Sequence, residues 1–434
     1  MCAVRPTLIV FQEGLTLSPA SMAPPPIPTA VSSPSLSISS APVPDAARQL
    51  ERLVLEAQQS ATLDLLEVAA TTGAFEQAIL VTEDRSFAQR AQAMAEQWAD
   101  RLSLQIESYE GESFHFGQAL QAVCRAHSLR RVVYAGGGAM PLAAGRELAD
   151  LALAVSGEGH CVVANNLYSA DVVALHPASA LEHIELPAAD NDLAWLLYYR
   201  AGLPFAPMPR TLATQFDIDT PTDLAVLWWC AQLPPVDRSV GPHLSQLLAR
   251  VPAAMPSLLA TVARAYKVMA TRRADLLVAG RVSSWVWRRL EVNLPCQTRI
   301  ISEERGMRAS GREARGEVRS LLGLYLDMAG VDGFLHALER VCDAAFVDSR
   351  VLFAHRRLNP SRPDRFASDA LAPDLIQDPW VREFTQAAAS ASVPVVLGGH
   401  SLISGGLWAL SERMRSSGSD PSSYAGETLH PPSS

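Results

Sequence analysis

Between residues 77 and 135, short apolar runs alternate with segments of helical period. That alternation restricts the possible folds more than any other feature of the chain. Ala78–Glu83 (AILVTE) predicts a buried strand, Ser86–Leu102 a helix, and Ser103–Ser108 (SLQIES) the next strand. Phe116–His127 then predicts a helix and Arg131–Ala135 (RVVYA) a strand that runs into Gly136-Gly137-Gly138. Strands that alternate with helices imply an α/β fold with a mostly parallel sheet, because parallel neighbours need a crossover long enough to hold a helix. Upstream, Thr7–Phe11 (TLIVF) reads as a first strand. Ala46–Thr72 is apolar at Leu50, Leu53, Val54, Ala57, Ala61, Leu65 and Val68, the spacing of a helix packed on that sheet.

The same order recurs downstream. Ala274–Gly280 (ADLLVAG) predicts a buried strand, Ser283–Leu290 a capped helix and Gln297–Ser302 (QTRIIS) a strand. Ala344–Ala354 contains a further strand or strand-turn, and Val393–Gly399 (VPVVLGG) a last one. Two α/β modules are therefore expected, at 46–235 and 236–415, with consecutive prolines after Leu233 marking the boundary. A chain of 434 residues fits two or three domains of roughly 150 residues. Residues 15–45 are rich in Pro and Ser and are expected to be disordered, as is the tail 416–434.

Composition excludes several classes. A formal net charge of −9 disfavours a nonspecific nucleic-acid binder. No uninterrupted apolar run approaches the roughly 18 residues of a membrane span, and Leu8-Ile9-Val10-Phe11 is too short for a signal-peptide core. The six cysteines are scattered without a CxxC pair, which fits free thiols in a reducing cytoplasm. HExxH, GxSxG and GxxxxGK[ST] are all absent.

Phe216–Leu224 (FDIDTPTDL) carries the most specific chemistry. It reads as a short apolar-acidic strand followed by a helix, with Thr220 as N-cap, Pro221 in the first helical position and Asp223 as the capping-box acid. Asp217 and Asp219 then share one face, a corner suited to Mg²⁺, because hard cations take oxygen ligands. A solvated strand-to-helix junction fits the same spacing.

This stretch, together with Gly138-Ala139-Met140-Pro141-Leu142 after the RVVYA strand, resembles two motifs of nucleotidyltransferases with the GT-A-like fold. The nearest groups are the molybdenum-cofactor and 2-phospholactate guanylyltransferases. The resemblance covers residues 46–232 and implies transfer of a nucleoside monophosphate from an NTP to an anionic or phosphorylated small-molecule acceptor. It also implies Mg²⁺ at Asp217 and Asp219, and nucleotide contacts at Gly136, Gly137, Gly138, Asn165 and Asn166. The sequence departs from the pattern at two places. Ala139 stands where the family has a metal-anchoring acid, and no Gly-rich basic loop follows Thr7–Phe11. A noncatalytic nucleotide-binding or regulatory protein that kept the fold is the alternative. Asp190-Asn191-Asp192 reads as a helix N-cap.

The second module resembles no family. Parallel sheets place ligands beyond the carboxyl ends of their strands. Glu303 and Glu304 after one strand and His400 after another are therefore candidates for acid–base work in one shared pocket. Arg305, Arg308, Arg312 and Arg315 fit either an anion site or a solvated loop. Asp364, Arg365 and Asp369 are expected to form surface ion pairs.

Overall fold

The computed structural model describes residues 4–13, 43–109, 114–233 and 240–416. The segments expected to be disordered, and the prolines of the expected module boundary, fall almost wholly outside them.

Seven strands form the first sheet: β1 (Thr7–Phe11), β2 (Gln77–Val81), β3 (Ser103–Glu107), β4 (Val132–Gly136), β5 (Cys161–Ala164), β6 (Val172–His176) and β7 (Phe205–Pro207). Their order is β3-β2-β1-β4-β6-β5-β7, parallel except for β6, which runs against β4 and β5. Period-two alternation explains the place of β1. Leu8 and Val10 enter the apolar cluster on one face of the sheet, while Ile9 and Phe11 enter the cluster on the other. Burying such a side chain contributes about 1.5–3 kcal/mol, so both faces of this strand hold it in the centre.

The second sheet contains β8 (Asp275–Gly280), β9 (Gln297–Ser302), β10 (Ala344–Asp348) and β11 (Val395–Gly398), all parallel, in the order β11-β10-β8-β9. One apolar cluster joins the two halves. Leu50, Leu53 and Val54 of the helix Asp45–Thr72 share it with Leu224 and Leu227 of the helix Pro221–Gln232, and with Val278, Phe346 and Val396 of the second sheet. Farther along, the first of these helices turns Leu65, Leu66 and Ala69 to the first sheet.

Several sequence expectations change. The helix expected over Ser86–Leu102 ends at Ala95 and passes into a 3₁₀ turn at Glu96–Trp98. Ala344–Ala354 divides into β10 and the helix Ser349–His355. Phe216–Asp219 is no strand, since it makes only a single bridge, Ala139 to Asp217. The helix Leu321–Val341 is long and apolar enough for a membrane span by length and composition, although the sequence shows no uninterrupted apolar run. Gly330 breaks it at φ 72°. The described cysteines are free thiols.

Candidate functional site

In an open sheet of parallel strands, the crevice for a ligand lies beyond the carboxyl ends, where strand order reverses. In the first sheet the order reverses between β1 and β4; in the second it reverses between β8 and β10. Charged groups gather at both places.

At the first, the glycine turn after β4 docks the acidic segment. A Cβ on Gly137 would lie 2.4 Å from Gln12 Oε1, and Gly138 adopts φ +80° against the Gln58 side chain. Gln58 Nε2 donates to the Ile218 carbonyl at 2.7 Å, and the Ile218 N–H donates to the Gly138 carbonyl at 3.1 Å. The close approaches of Gly137 and Gly138 thus admit Gln12 and Gln58, and in doing so fix Asp217 beside the end of β4. Gly136 faces the acids, since a Cβ there would lie 3.3 Å from both Asp190 Oδ2 and the Tyr134 hydroxyl.

Asp171 enters at the start of β6. Its carboxylate accepts from Asn165 Nδ2 at 3.2 Å, and Asn165 Oδ1 accepts from the backbone N–H groups of Asp171 and Val172. Asn165, expected to contact nucleotide, is therefore a holder of Asp171. Asn166 closes a turn by accepting from the Tyr168 N–H at 3.2 Å. Asp190 is not the helix cap the sequence suggested: the helix Leu193–Tyr199 begins after Asp192 with no side-chain cap, and Asp190 Oδ2 instead accepts from the Tyr134 hydroxyl at 2.8 Å.

These carboxyl groups lie in one another's field. Burial, then Asp219, Asp171 and Asp223, hold the Asp217 carboxyl well above the usual range, and it is hydrogen-bonded to Asp219. Burial, then Asp190 and Asp219, do the same to Asp171. Asp190 is pushed up to about 6, by burial first and by Asp219, against the Tyr134 hydrogen bond. The principal charges acting on all three are other carboxylates, an arrangement that takes up protons or a cation.

The capping expectation holds at Thr220, Pro221 and Asp223. Asp223 does more besides. Its Oδ2 accepts from the Asp219 and Thr220 N–H groups at 3.0 and 2.7 Å, and from the hydroxyls of Thr220 and Ser401 at 2.9 and 2.8 Å. Its buried Oδ1 has no partner among the described residues. Burial, then Asp219, push its carboxyl up to about 7. Ser401 belongs to the second module, so this bond joins the two reversal points.

At the second reversal point Arg281 Nε and Nη2 donate to Asp348 Oδ2 and Oδ1 at 2.6 and 3.1 Å. Gly280 is required there, because at φ +119° a Cβ would fall 2.4 Å from Asp348 Cβ. Arg350 donates to both oxygens of Asp369 at 2.7 and 2.5 Å, and Asp369 is wholly buried. Asp364 is also buried and accepts from the Gln377 and Asp378 N–H groups. Neither aspartate is part of a surface pair, as the sequence suggested, because the helix Arg362–Asp369 packs between the modules.

The shared pocket expected for Glu303, Glu304 and His400 does not form. β9 and β11, whose ends carry them, are the two edges of the sheet. Glu303 accepts from the Ser320 hydroxyl and the Leu321 N–H, fixing the start of the next helix. Glu304 holds Arg312 through two hydrogen bonds and accepts from the Arg319 N–H at 3.0 Å. His400 stays at the interface, its Nδ1 buried without a partner among the described residues.

Among the described residues, the one trio of His, Cys, Asp or Glu with ligand atoms within 4.8 Å of one another is Asp64, Glu67 and His243, which includes none of Asp171, Asp190, Asp217 and Asp219. Asp64 already accepts from the N–H groups of His243 and Leu244 at 3.0 and 2.9 Å.

No protein-family model matches the chain, and no curated protein sequence does. Among solved structures, it is similar to a protein assigned as a nucleotide-diphospho-sugar transferase from Desulfovibrio desulfuricans G20. That match has 14% identity and a TM-score of 0.36, and covers 57% of this chain and 95% of the other. It is also similar to a cytidylyltransferase from Leptospira borgpetersenii serovar Hardjo-bovis (strain JB197), with 14% identity and a TM-score of 0.33, covering 58% of this chain and 97% of the other. Likeness this low is silent on activity, which has to be judged from the residues.

Proposed function

We propose that this protein is a cytoplasmic, Mg²⁺-dependent nucleotidyltransferase that moves a nucleoside monophosphate from an NTP to an anionic small-molecule acceptor. The observation that carries the reading is the set of carboxyl groups of Asp171, Asp190, Asp217 and Asp219 at the reversal point of the first sheet, with Asp217 and Asp190 holding protons unusually well. Oxygen donors that retain protons for want of a countercharge fit a hard divalent cation, which would displace those protons.

Asp217 and Asp219 would hold the ion. With no third side chain drawn as close, the remaining positions fall to water and phosphate oxygens, as is usual for Mg²⁺. A bound Mg²⁺ supplies countercharge to the phosphates during in-line displacement. The chain's own contribution is positioning. Asn165 orients Asp171, Tyr134 orients Asp190, and the Gly138–Ile218 backbone bond sets Asp217 against the end of β4.

Ala139 favours a second reading, a nucleotide-binding protein without turnover. Its methyl group cannot ligate a metal, and its backbone bridges to Asp217.

A thermal-shift screen with NTPs, with and without Mg²⁺, tests the proposal, because a ligand that binds only the native state raises its stability. A shift that needs both Mg²⁺ and NTP, and is lost in D217N/D219N, is expected. An unchanged shift in the double variant would remove these residues from the site. A shift without product release from any acceptor would favour the second reading.

A further inference from the structure

The chemistry proposed for the reversal points leaves Asp64, Glu67 and His243 unused. Asp64 and Glu67 stand three residues apart in the helix Asp45–Thr72, so they share one face. His243 belongs to the short helix Pro242–Leu248, which packs on that helix at the start of the second module. One ligand atom of each of the three lies within 4.8 Å of the other two. Gly241 allows this approach, because a Cβ there would fall 2.3 Å from Asp64 Cγ.

Capping accounts for Asp64. Its Oδ1 accepts from the His243 N–H at 3.0 Å and its Oδ2 from the Leu244 N–H at 2.9 Å. Each of these oxygens keeps a lone pair free, since a carboxylate offers about four acceptor sites. Capping does not account for Glu67 or for the His243 ring. Both are half-buried, and neither side chain has a hydrogen-bonded or ion-pair partner among the described residues. Together with Leu63, Arg90, Met94 and Gln97 they line a cleft of about 460 Å³. Arg90 does not neutralise Glu67. Its guanidinium donates to Gln59 Oε1 at 2.5 Å and lies over the Phe87 ring. Burial holds the Asp64 carboxyl above its usual range, with its two backbone hydrogen bonds and His243 acting against this and Glu67 adding to it. Two carboxylates and an imidazole thus converge beside a cleft with no cation between the acids but the histidine.

We propose that Asp64, Glu67 and His243 bind a Zn²⁺ ion that clamps the helix Asp45–Thr72 to the helix Pro242–Leu248, with a fourth position open to the cleft for water. Zn²⁺ takes imidazole nitrogen and carboxylate oxygen at about 2.0–2.2 Å and is usually four-coordinate. The imidazole disfavours Mg²⁺ and Ca²⁺, which take oxygen ligands. Ligand atoms around a tetrahedral Zn²⁺ stand about 3.4 Å apart. The trio closes to that spacing through Glu67 and His243, whose side chains are unpartnered at the cleft, while the two backbone bonds hold Asp64 in place. Hydrogen bonds of that kind orient a metal-ligating carboxylate. None of the three ligands belongs to the proposed Mg²⁺ site.

Calorimetric titration of the metal-stripped full chain with Zn²⁺ tests the site, in a buffer that does not bind the ion. One Zn²⁺ per chain is expected, with Kd raised about tenfold or more in E67Q and in H243Q, as for the loss of a ligand or its support. Both single variants alter half-buried side chains without partners, so each keeps the test valid should E67Q/H243Q fold poorly. Co²⁺ in place of Zn²⁺ should show the visible bands of a nitrogen–oxygen site. A near-ultraviolet thiolate band would instead place the ion on cysteine and overturn the proposal. Zn²⁺ should raise the Tm of the wild type and leave that of E67Q/H243Q unchanged, because an ion bound only by the native state stabilises it. D217N/D219N should bind Zn²⁺ as the wild type does, which separates this site from the proposed Mg²⁺ site. Heat no greater than that of dilution, or a Kd within about twofold of wild type in both E67Q and H243Q, would likewise overturn it.

Discussion

The two reversal points are built alike and charged in opposite ways. Each lies beyond the carboxyl ends of two parallel strands, β1 and β4 in one sheet and β8 and β10 in the other. At the first, carboxyl groups repel one another and are raised. At the second, Arg281 and nearby cations hold the Asp348 carboxyl below the usual range although it is wholly buried. Removing a charge should therefore stabilise one place and damage the other.

The largest effect is expected at Arg350. R350M leaves Asp369 buried without its bidentate partner. Breaking a buried pair on one side typically costs about 3–5 kcal/mol. Urea denaturation near pH 7 should show a loss of that order. A loss under about 1 kcal/mol would mean that the pair is not buried as described, and the contrast between the two places would fail.

The acidic place predicts the opposite sign, with a distinctive pH dependence. Asp190 titrates near 6 when folded, against a reference of 3.8. A folded state that binds more protons than the unfolded one loses stability as pH rises. Wild-type stability should therefore fall between about pH 4 and 6 through this group, by about 1–2 kcal/mol once partial exposure is allowed for. D190N keeps an acceptor for Tyr134 and should flatten this fall, making the variant the more stable protein near pH 7.5. His400 works in the other direction. Folded near 4 against 6.5, it binds fewer protons in the native state, so its contribution grows as pH rises through that window. H400Q should steepen the overall decline with pH that D190N relieves. Parallel pH–stability curves for the two variants would refute the opposition.

These two places were not equally legible in the sequence. Thr7–Phe11 and Gln297–Ser302 were readable to the residue, because an apolar run or a period-two pattern bounded by polar groups marks a strand locally. The helix start at Thr220-Pro221 was readable because capping chemistry is local. Asp217 and Asp219 were singled out by strand alternation, which the structure does not keep, and by the family resemblance. Asp171 was missed. It becomes a site residue only because β6 runs back beside β4, and the one signal for that strand was the apolar run Val172–Leu175. Asp190 carried a capping signature, and nothing local pointed to Tyr134. Glu303 and Glu304 misled for the converse reason. Their place at a strand end was right, but sheet order, a long-range property, put them on the edge opposite His400.

The smallest expected effect concerns the bond that links the two places. The Ser401 hydroxyl donates to Asp223 Oδ2 at 2.8 Å, across the contact between modules. Three other donors reach the same oxygen, so S401A should leave the helix cap intact. What it removes depends on protonation. The Ser401 bond opposes the burial that pushes Asp223 up to about 7. Hydrogen bonds to a charged acceptor contribute about 1.5–3 kcal/mol, and those to a neutral one about 0.5–1.5. Near pH 5 Asp223 is protonated when folded, and S401A should cost about 1 kcal/mol or less. Near pH 8 it is ionised, and the cost should rise to about 2 kcal/mol. The sign follows from linkage, because losing the hydroxyl raises the folded pKa further from 3.8, so the variant sheds more stability as pH climbs through 7. Denaturation of wild type and S401A at the two pH values measures this directly. A cost independent of pH would show that Asp223 keeps one protonation state across this range, and that the hydroxyl matters for packing alone.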